Sequence, residues 1–227
     1  MRRFWNKLTM LVVICISSYA TAQNINEKKG LQASAIIGMS NFNFGSINDV
    51  LENQGLPQIK DGLQFTPSFN IKLFSGNRDY WEVTVGLNNS KNNEKEYTLE
   101  QQVIFSEIGY GKYINFKERN YLLFGVAIGN VSYDVDLYNN VKGTSFFDSI
   151  SQTNDGSKIS SRNNTYAALK AGYDWEIDSE GDILIGVRMG YRIGFGKEKW
   201  EINGNSYDDS PKTSANGFFM GLALSIH

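Results

Sequence analysis

Group-transfer chemistry on a protein usually starts from a nucleophile and a base within hydrogen-bond reach, and the base is most often histidine. This chain of 227 residues has one histidine, His227, and one cysteine, Cys15. An imidazole at the last position builds no Ser–His pair inside a scaffold. A solitary thiol builds neither a disulfide nor a thiolate zinc site. Acidic residues could act as a base, but no spacing singles out a pair, and no G-x-G-x-x-G run stands between a strand and a helix. The residues therefore predict a non-enzyme with no catalytic residue, no metal and no cofactor. A formal net charge of −2 gives no bulk electrostatic case for nucleic acid.

The charged residues that stand out lie on segments of period two. In 183–196, Ile183, Ile185, Val187, Met189, Tyr191, Ile193 and Phe195 share one face, while Arg188 and Arg192 lie among glycines on the other. Glycine on a solvated strand face weakens the strand for no gain. In a narrow barrel whose apolar face meets lipid, small residues and paired charges belong inside. The last segment agrees: Phe218, Met220, Leu222, Leu224 and Ile226 oppose Gly217, Phe219, Gly221, Ala223 and Ser225. The residues expected to face lipid are thus Val187, Met189, Tyr191, Ile193, Phe195, Phe218, Met220, Leu222 and Leu224. The same alternation elsewhere predicts an inward charge set of Lys72, Glu82, Glu107, Lys112, Lys170, Asp174, Glu176, Arg188 and Arg192. Isolated charges in a low-dielectric bore are costly, so these nine should pair and occlude it. Trp81, Tyr113, Tyr121, Tyr173, Trp175 and Phe195 are candidates for interfacial aromatic girdles.

Eight strands must position these residues: about 30–43, 63–74, 81–88, 98–114, 120–136, 165–177, 183–196 and 217–226. The second has Pro67 on its apolar face, which predicts a bulge or gap. The fourth switches phase near Phe105. The fifth turns polar outside from Asn130, so bulges that rephase such strands are expected. Connections at 75–79, 115–119 and 178–181 are short and rich in Gly, Asn and Asp. Those at about 44–62, 89–97, 137–163 and 197–213 are longer. In the first long loop, Ser46 with Asp49 predicts a capped helix over 46–55 that covers the barrel rim, ended by Gly55 and followed by Pro57. In the longest loop, Phe146, Phe147 and Ile150 are candidates for surface recognition.

The N-terminus carries Arg2, Arg3 and Lys7, an apolar run from Leu8 to Ile16, and Ala20-Thr21-Ala22. This is a secretory signal pattern with cleavage expected after Ala22. The domain reading is a cleavable signal at 1–22, a short lead at 23–29, and a barrel over 30–227. Cleavage would leave 19 basic residues against 24 acidic ones.

With its alternating strands, short and long connections and terminal Gly221-Leu222-Ala223-Leu224-Ser225-Ile226, the chain resembles the small Gram-negative outer-membrane β-barrels. It is similar in layout to the OmpA-like transmembrane domain and the porin-family outer-membrane β-barrel domain. That family usually ends in Phe or Tyr, whereas this chain ends in His227. The resemblance implies an all-β, eight-stranded antiparallel up-and-down transmembrane barrel. Three short turns and both mature termini would lie on the periplasmic side, with four longer loops outside. It also implies outer-membrane lipid and the barrel-assembly machinery as partners. A structural or surface-recognition role follows as the expectation, with a surface ligand unidentified. The alternatives are a small-solute channel, a lipid-modifying barrel enzyme and a soluble lipocalin-like barrel.

Overall fold

The computed structural model describes residues 30–75, 78–94, 97–117, 119–139, 157–178, 180, 182–196, 198–206 and 210–227. The signal-like segment 1–22 and the lead 23–29 lie outside them. Eight strands follow in chain order. They are β1 (Leu31–Phe42), β2 in two pieces (Gly62–Phe65 and Ser68–Ser75), β3 (Asp79–Glu94), β4 (Tyr97–Lys117), β5 (Asn120–Asn139), β6 (Ser157–Glu176), β7 (Ile183–Gly194) and β8 (Gly217–Ile226). Each pairs antiparallel with its neighbours in sequence, and β8 pairs with β1 from Ala33↔Ile226 to Ser40↔Phe219. The sheet closes on itself, which removes its edges through the paired region.

Pro67 has the predicted effect. It cannot donate to a ladder, and β2 is interrupted at Thr66–Pro67. Thr66 N still donates to Gly38 O (2.7 Å), and Leu87 N donates to Pro67 O (3.1 Å), so the wall stays bonded across the gap.

The connection expected at 89–97 is instead strand. The β3–β4 ladder runs up to Glu94↔Tyr97. Strands β3 to β6, of 16, 21, 20 and 20 residues, therefore rise above β7, β8 and β1, of 12, 10 and 12. The opposite side of this taller wall is filled by helix α1 (Gly45–Asn53), the segment to Asp61, and short ladders within 198–213. One of these, Glu201–Ile202, adds to the top of β6 at Ser160 and Ile159.

In β4 from Leu99 to Tyr113, and along β5, one parity faces inward, so neither strand is rephased at Phe105 or Asn130; the β4–β5 register shifts only at the turn end, between Asn115 and Lys117. What changes is the chemistry on each face. Lower on the wall, Ile104, Ile108, Tyr110, Phe124, Val126 and Ile128 point outward. Higher up, the outward positions are Glu100, Gln102, Asn130, Ser132, Asp134 and Asp136, and the inward ones are Leu99, Val103, Phe105, Val131, Tyr133 and Val135. The true phase change is in β6. Its pairing with β5 shifts between Val131 and Tyr133, and Asn163 takes φ 60° there. Below this bulge the even residues point inward; above it, Ile159 and Ser161 do.

The inward apolar residues of the taller wall meet the cover in one core. Phe44 from the cover packs edge-on against Tyr133 with ring centroids 5.1 Å apart, and Trp200 stacks on Tyr133 at 6.0 Å. Ile47 and Leu51 of α1, with Ile59, complete it. The helix covers the rim as expected and ends at Gly55 with φ 68°. Its start differs from expectation. Phe44 is the N-cap without a side-chain cap bond, and Ser46 Oγ donates instead to Lys212 O (2.7 Å). That bond ties α1 to the last loop.

Asn48 pins the cover. Its Nδ2 donates to Ile59 O (2.9 Å) and its Oδ1 accepts from Ile59 N (2.8 Å), both buried. Asn48→Ala should cost about 2 kcal/mol by leaving that peptide group unsatisfied. Limited proteolysis should then cut 43–61 faster than in the unmodified chain.

Candidate functional site: the barrel interior

Alternation brings eight of the nine expected inward charges into the barrel. Lys112 is the exception. It lies on the outward parity of β4, 67% exposed, and pairs with Asp79 at 3.4 Å near the turn end. Lys112 shares the parity of Ile108, Tyr110 and Ile114, the apolar outward face, and is opposite in parity to the inward Glu107. Without it, the interior holds four cations and four carboxylates. Lys112→Met, lying outside this network, should change stability by no more than about 0.5 kcal/mol in a denaturant titration.

At mid-height Lys170 bridges two carboxylates. Its Nζ donates to Glu107 Oε1 (2.6 Å) and to Glu82 Oε1. The free oxygens are also bonded, Glu107 Oε2 by Tyr166 OH (3.1 Å) and Glu82 Oε2 by Asn70 Nδ2 (3.0 Å). Arg188 grips Asp174 with two parallel bonds of 2.5 and 2.9 Å, the strongest geometry available to a carboxylate. Lys72 Nζ donates to Gln32 Oε1 (3.1 Å). Arg192 sits among aromatic rings, its Cζ 4.4 Å from the centroid of Phe105, 4.7 Å from Phe219 and 5.5 Å from Tyr166. Glycines make this packing possible. A Cβ on Gly86 would enter the Phe105 ring, and one on Gly190 would enter Phe219.

The interior thus has three layers. At the turn end, Phe74 gathers Tyr80, Tyr113 and His227 at 5.9, 5.2 and 5.3 Å between centroids. Tyr121 lies beside Tyr113 at 6.1 Å and donates to Glu176 Oε1. Ionic groups fill the middle, and the apolar core under the cover closes the loop end. A cavity of about 50 Å³ lies between the ionic and apolar layers.

Outside, the residues expected to face lipid all point away from the barrel. Ile37, Ile108, Ile128 and Leu222 are 63–65% exposed. Two girdle candidates are corrected: Tyr113 and Tyr121 point inward, where they build the turn-end layer. Trp81 stays outside and meets Tyr110 at 5.1 Å, and Tyr173 meets Trp175 at 4.6 Å, so aromatic pairs on β3–β4 and on β6 border the turn end. Above the apolar belt, cross-strand ion pairs such as Lys91–Glu100 (2.9 Å) take over the outer face. Phe146, Phe147 and Ile150 lie outside the described residues.

Alternation of polarity does not reveal the upper core or Trp200. The signal was present in 98–106, where Leu99, Val103 and Phe105 share the parity of Glu107, Gly109 and Gly111. Following parity rather than polarity would have placed them inside.

A closed antiparallel barrel of eight strands, apolar outside and ionic within, defines the class. Its likeness to solved structures is to small outer-membrane barrels. Neisserial surface protein A is similar at a TM-score of 0.50 and 9% identity, over 86% of this chain and 94% of that one. The outer membrane protein OprG from Pseudomonas aeruginosa gives 0.45 and 11%, over 90% and 100%. Ail, the attachment invasion locus protein of Yersinia pestis, gives 0.46 and 11%, over 86% and 97%. The shared property is the fold. No family model matches the chain, and no curated protein matches it.

Proposed function

We propose that the chain is an integral outer-membrane barrel with a closed interior, non-enzymatic, that presents its covered loop end at the cell surface for recognition. The apolar belt carries this reading. Soluble monomers rarely expose an apolar patch beyond a few hundred Å², and here large apolar side chains ring the barrel. Strands tilted by about 40° need nine to eleven residues to cross a hydrocarbon layer roughly 25 Å tall, and the outward apolar positions span 104–114 on β4 and run from 167 on β6 to 177 just past its end. The ion pairs and small cavity support a bore without steady conductance. The outward polar wall and cover suit the cell exterior, and in this reading the start of β1 and the end of β8 lie on the periplasmic side. Lipid contacts then fall on the belt, and β8 is the segment offered to the assembly machinery. His227 packs with aromatics at the turn end, which supports a non-enzymatic reading.

Carbonate-resistant outer-membrane fractionation with heat-modifiable gel mobility is the expected result. Planar bilayers should show no stable large steps. A chain recovered free in periplasm or medium would overturn the membrane reading, and large steps would overturn the closed interior.

A further inference from the structure

Arg192 is 3% exposed, yet among the described residues no carboxylate lies within salt-bridge distance of it, and its Nε has no hydrogen-bond partner. Aromatic faces attract a cation but offer its Nε no acceptor. The guanidinium borders the internal cavity, together with Lys72, Lys170 and Arg188, against only Glu82 and Glu107. Both of those carboxylates are held by Lys170. Asp174 is spent on Arg188, and Glu176 lies at the turn end with Tyr121. The middle layer therefore has four cations against three carboxylates; Lys72 and Arg192 touch no carboxylate, and of these two Arg192 has a nitrogen without a hydrogen-bond partner.

The same cavity is lined by Ser40 and Ser68, whose hydroxyls have no hydrogen-bond partner among the described residues. Hydroxyl donors, an unsatisfied guanidinium N–H and one surplus positive charge surround a space of about 50 Å³. That is room for a few water-sized particles and too little for an organic ligand. We infer that this cavity binds one small monovalent anion of the halide class, held by Arg192 with the Ser40 and Ser68 hydroxyls. The anion brings the layer to neutrality and satisfies donors that the protein leaves open. The inference stands on the interior geometry and not on where the barrel resides.

Bromide is the probe. Crystals of the unmodified chain grown in bromide should give an anomalous peak inside the cavity, in contact with the Arg192 guanidinium. In detergent at constant ionic strength, replacing gluconate with bromide should raise the unfolding midpoint saturably. In Arg192→Met the apparent bromide affinity should fall at least tenfold, while Lys112→Met retains it. A cavity without an anomalous peak overturns the proposal even if the variant fails to fold. So does a bromide dependence that Arg192→Met leaves unchanged. Bilayer conductance reads the closed interior separately, so the two ideas fail independently.

Discussion

Lys170→Met should destabilise the barrel by about 3–5 kcal/mol, the usual cost of stranding a buried charge partner. The loss is large because one ammonium serves two carboxylates. The Lys170 side chain is 13% exposed, and those of Glu82 and Glu107 are 4% and 2%. Without it, Glu82 retains a hydrogen bond from Asn70 and Glu107 one from Tyr166, with no cation in contact with either. Most of the cost lies in the stranded charges and not in the pair itself. The triple variant Lys170→Met, Glu82→Gln, Glu107→Gln should therefore recover most of the loss. Denaturant midpoints in one detergent would show it. A single variant no worse than Lys112→Met would mean that water reaches the middle layer freely.

Leu222→Arg should cost about 2–4 kcal/mol in a bilayer, the penalty for arginine on the lipid face near the midplane. Leu222 lies on β8 opposite Ile37 of β1 and Val187 of β7, well inside the belt. The matching change at Asn89, above the belt and paired with Gln102, should stay within about 0.5 kcal/mol. Folding titrations into phosphatidylcholine vesicles would compare them. In a water-soluble barrel an arginine at the exposed position 222 would be harmless, so equal costs at the two sites would contradict a lipid-facing belt.

How far the architecture could be read from residues depended on which solvent faced each strand. Segments 183–196 and 217–226 stay within the belt, so apolar meant outward along their whole length and every position was assigned to its face. Segments 98–114 and 120–136 cross the belt's upper edge. There the outside becomes water and the inside becomes a packed core, and a rule keyed to polarity reads the crossing as a change of phase. Leu99, Val103 and Tyr133 are hidden as core for that reason, whereas Lys112 lies within the belt, where its parity with Ile108 and Tyr110 already marks it as outward. The bulge at Arg162–Asn163 left little local mark, because Ser160 and Ser161 are both small, polar and buried. Pairing within the charge set was foreseeable from the cost of isolated charges. The partners were not, since Lys170 and Glu82 are distant in sequence and meet only across the bore. Trp200 lay in a polar loop, where nothing local announced that a core waited beneath it.

One labelling experiment tests the central claim that the wall passes from lipid to water along a single strand face. Ile108 and Glu100 lie on the same outward face of β4, with Ile108 63% exposed and the Glu100 side chain 47%. Ile108→Cys and Glu100→Cys, each in a Cys15→Ser background, would be treated on intact cells with a membrane-impermeant maleimide. Cysteine at 100 should label rapidly, and cysteine at 108 should stay unlabelled until the barrel is unfolded. Labelling at 108 as fast as at 100, the order that exposed area alone would give, would contradict a barrel that crosses the membrane with its covered end outside.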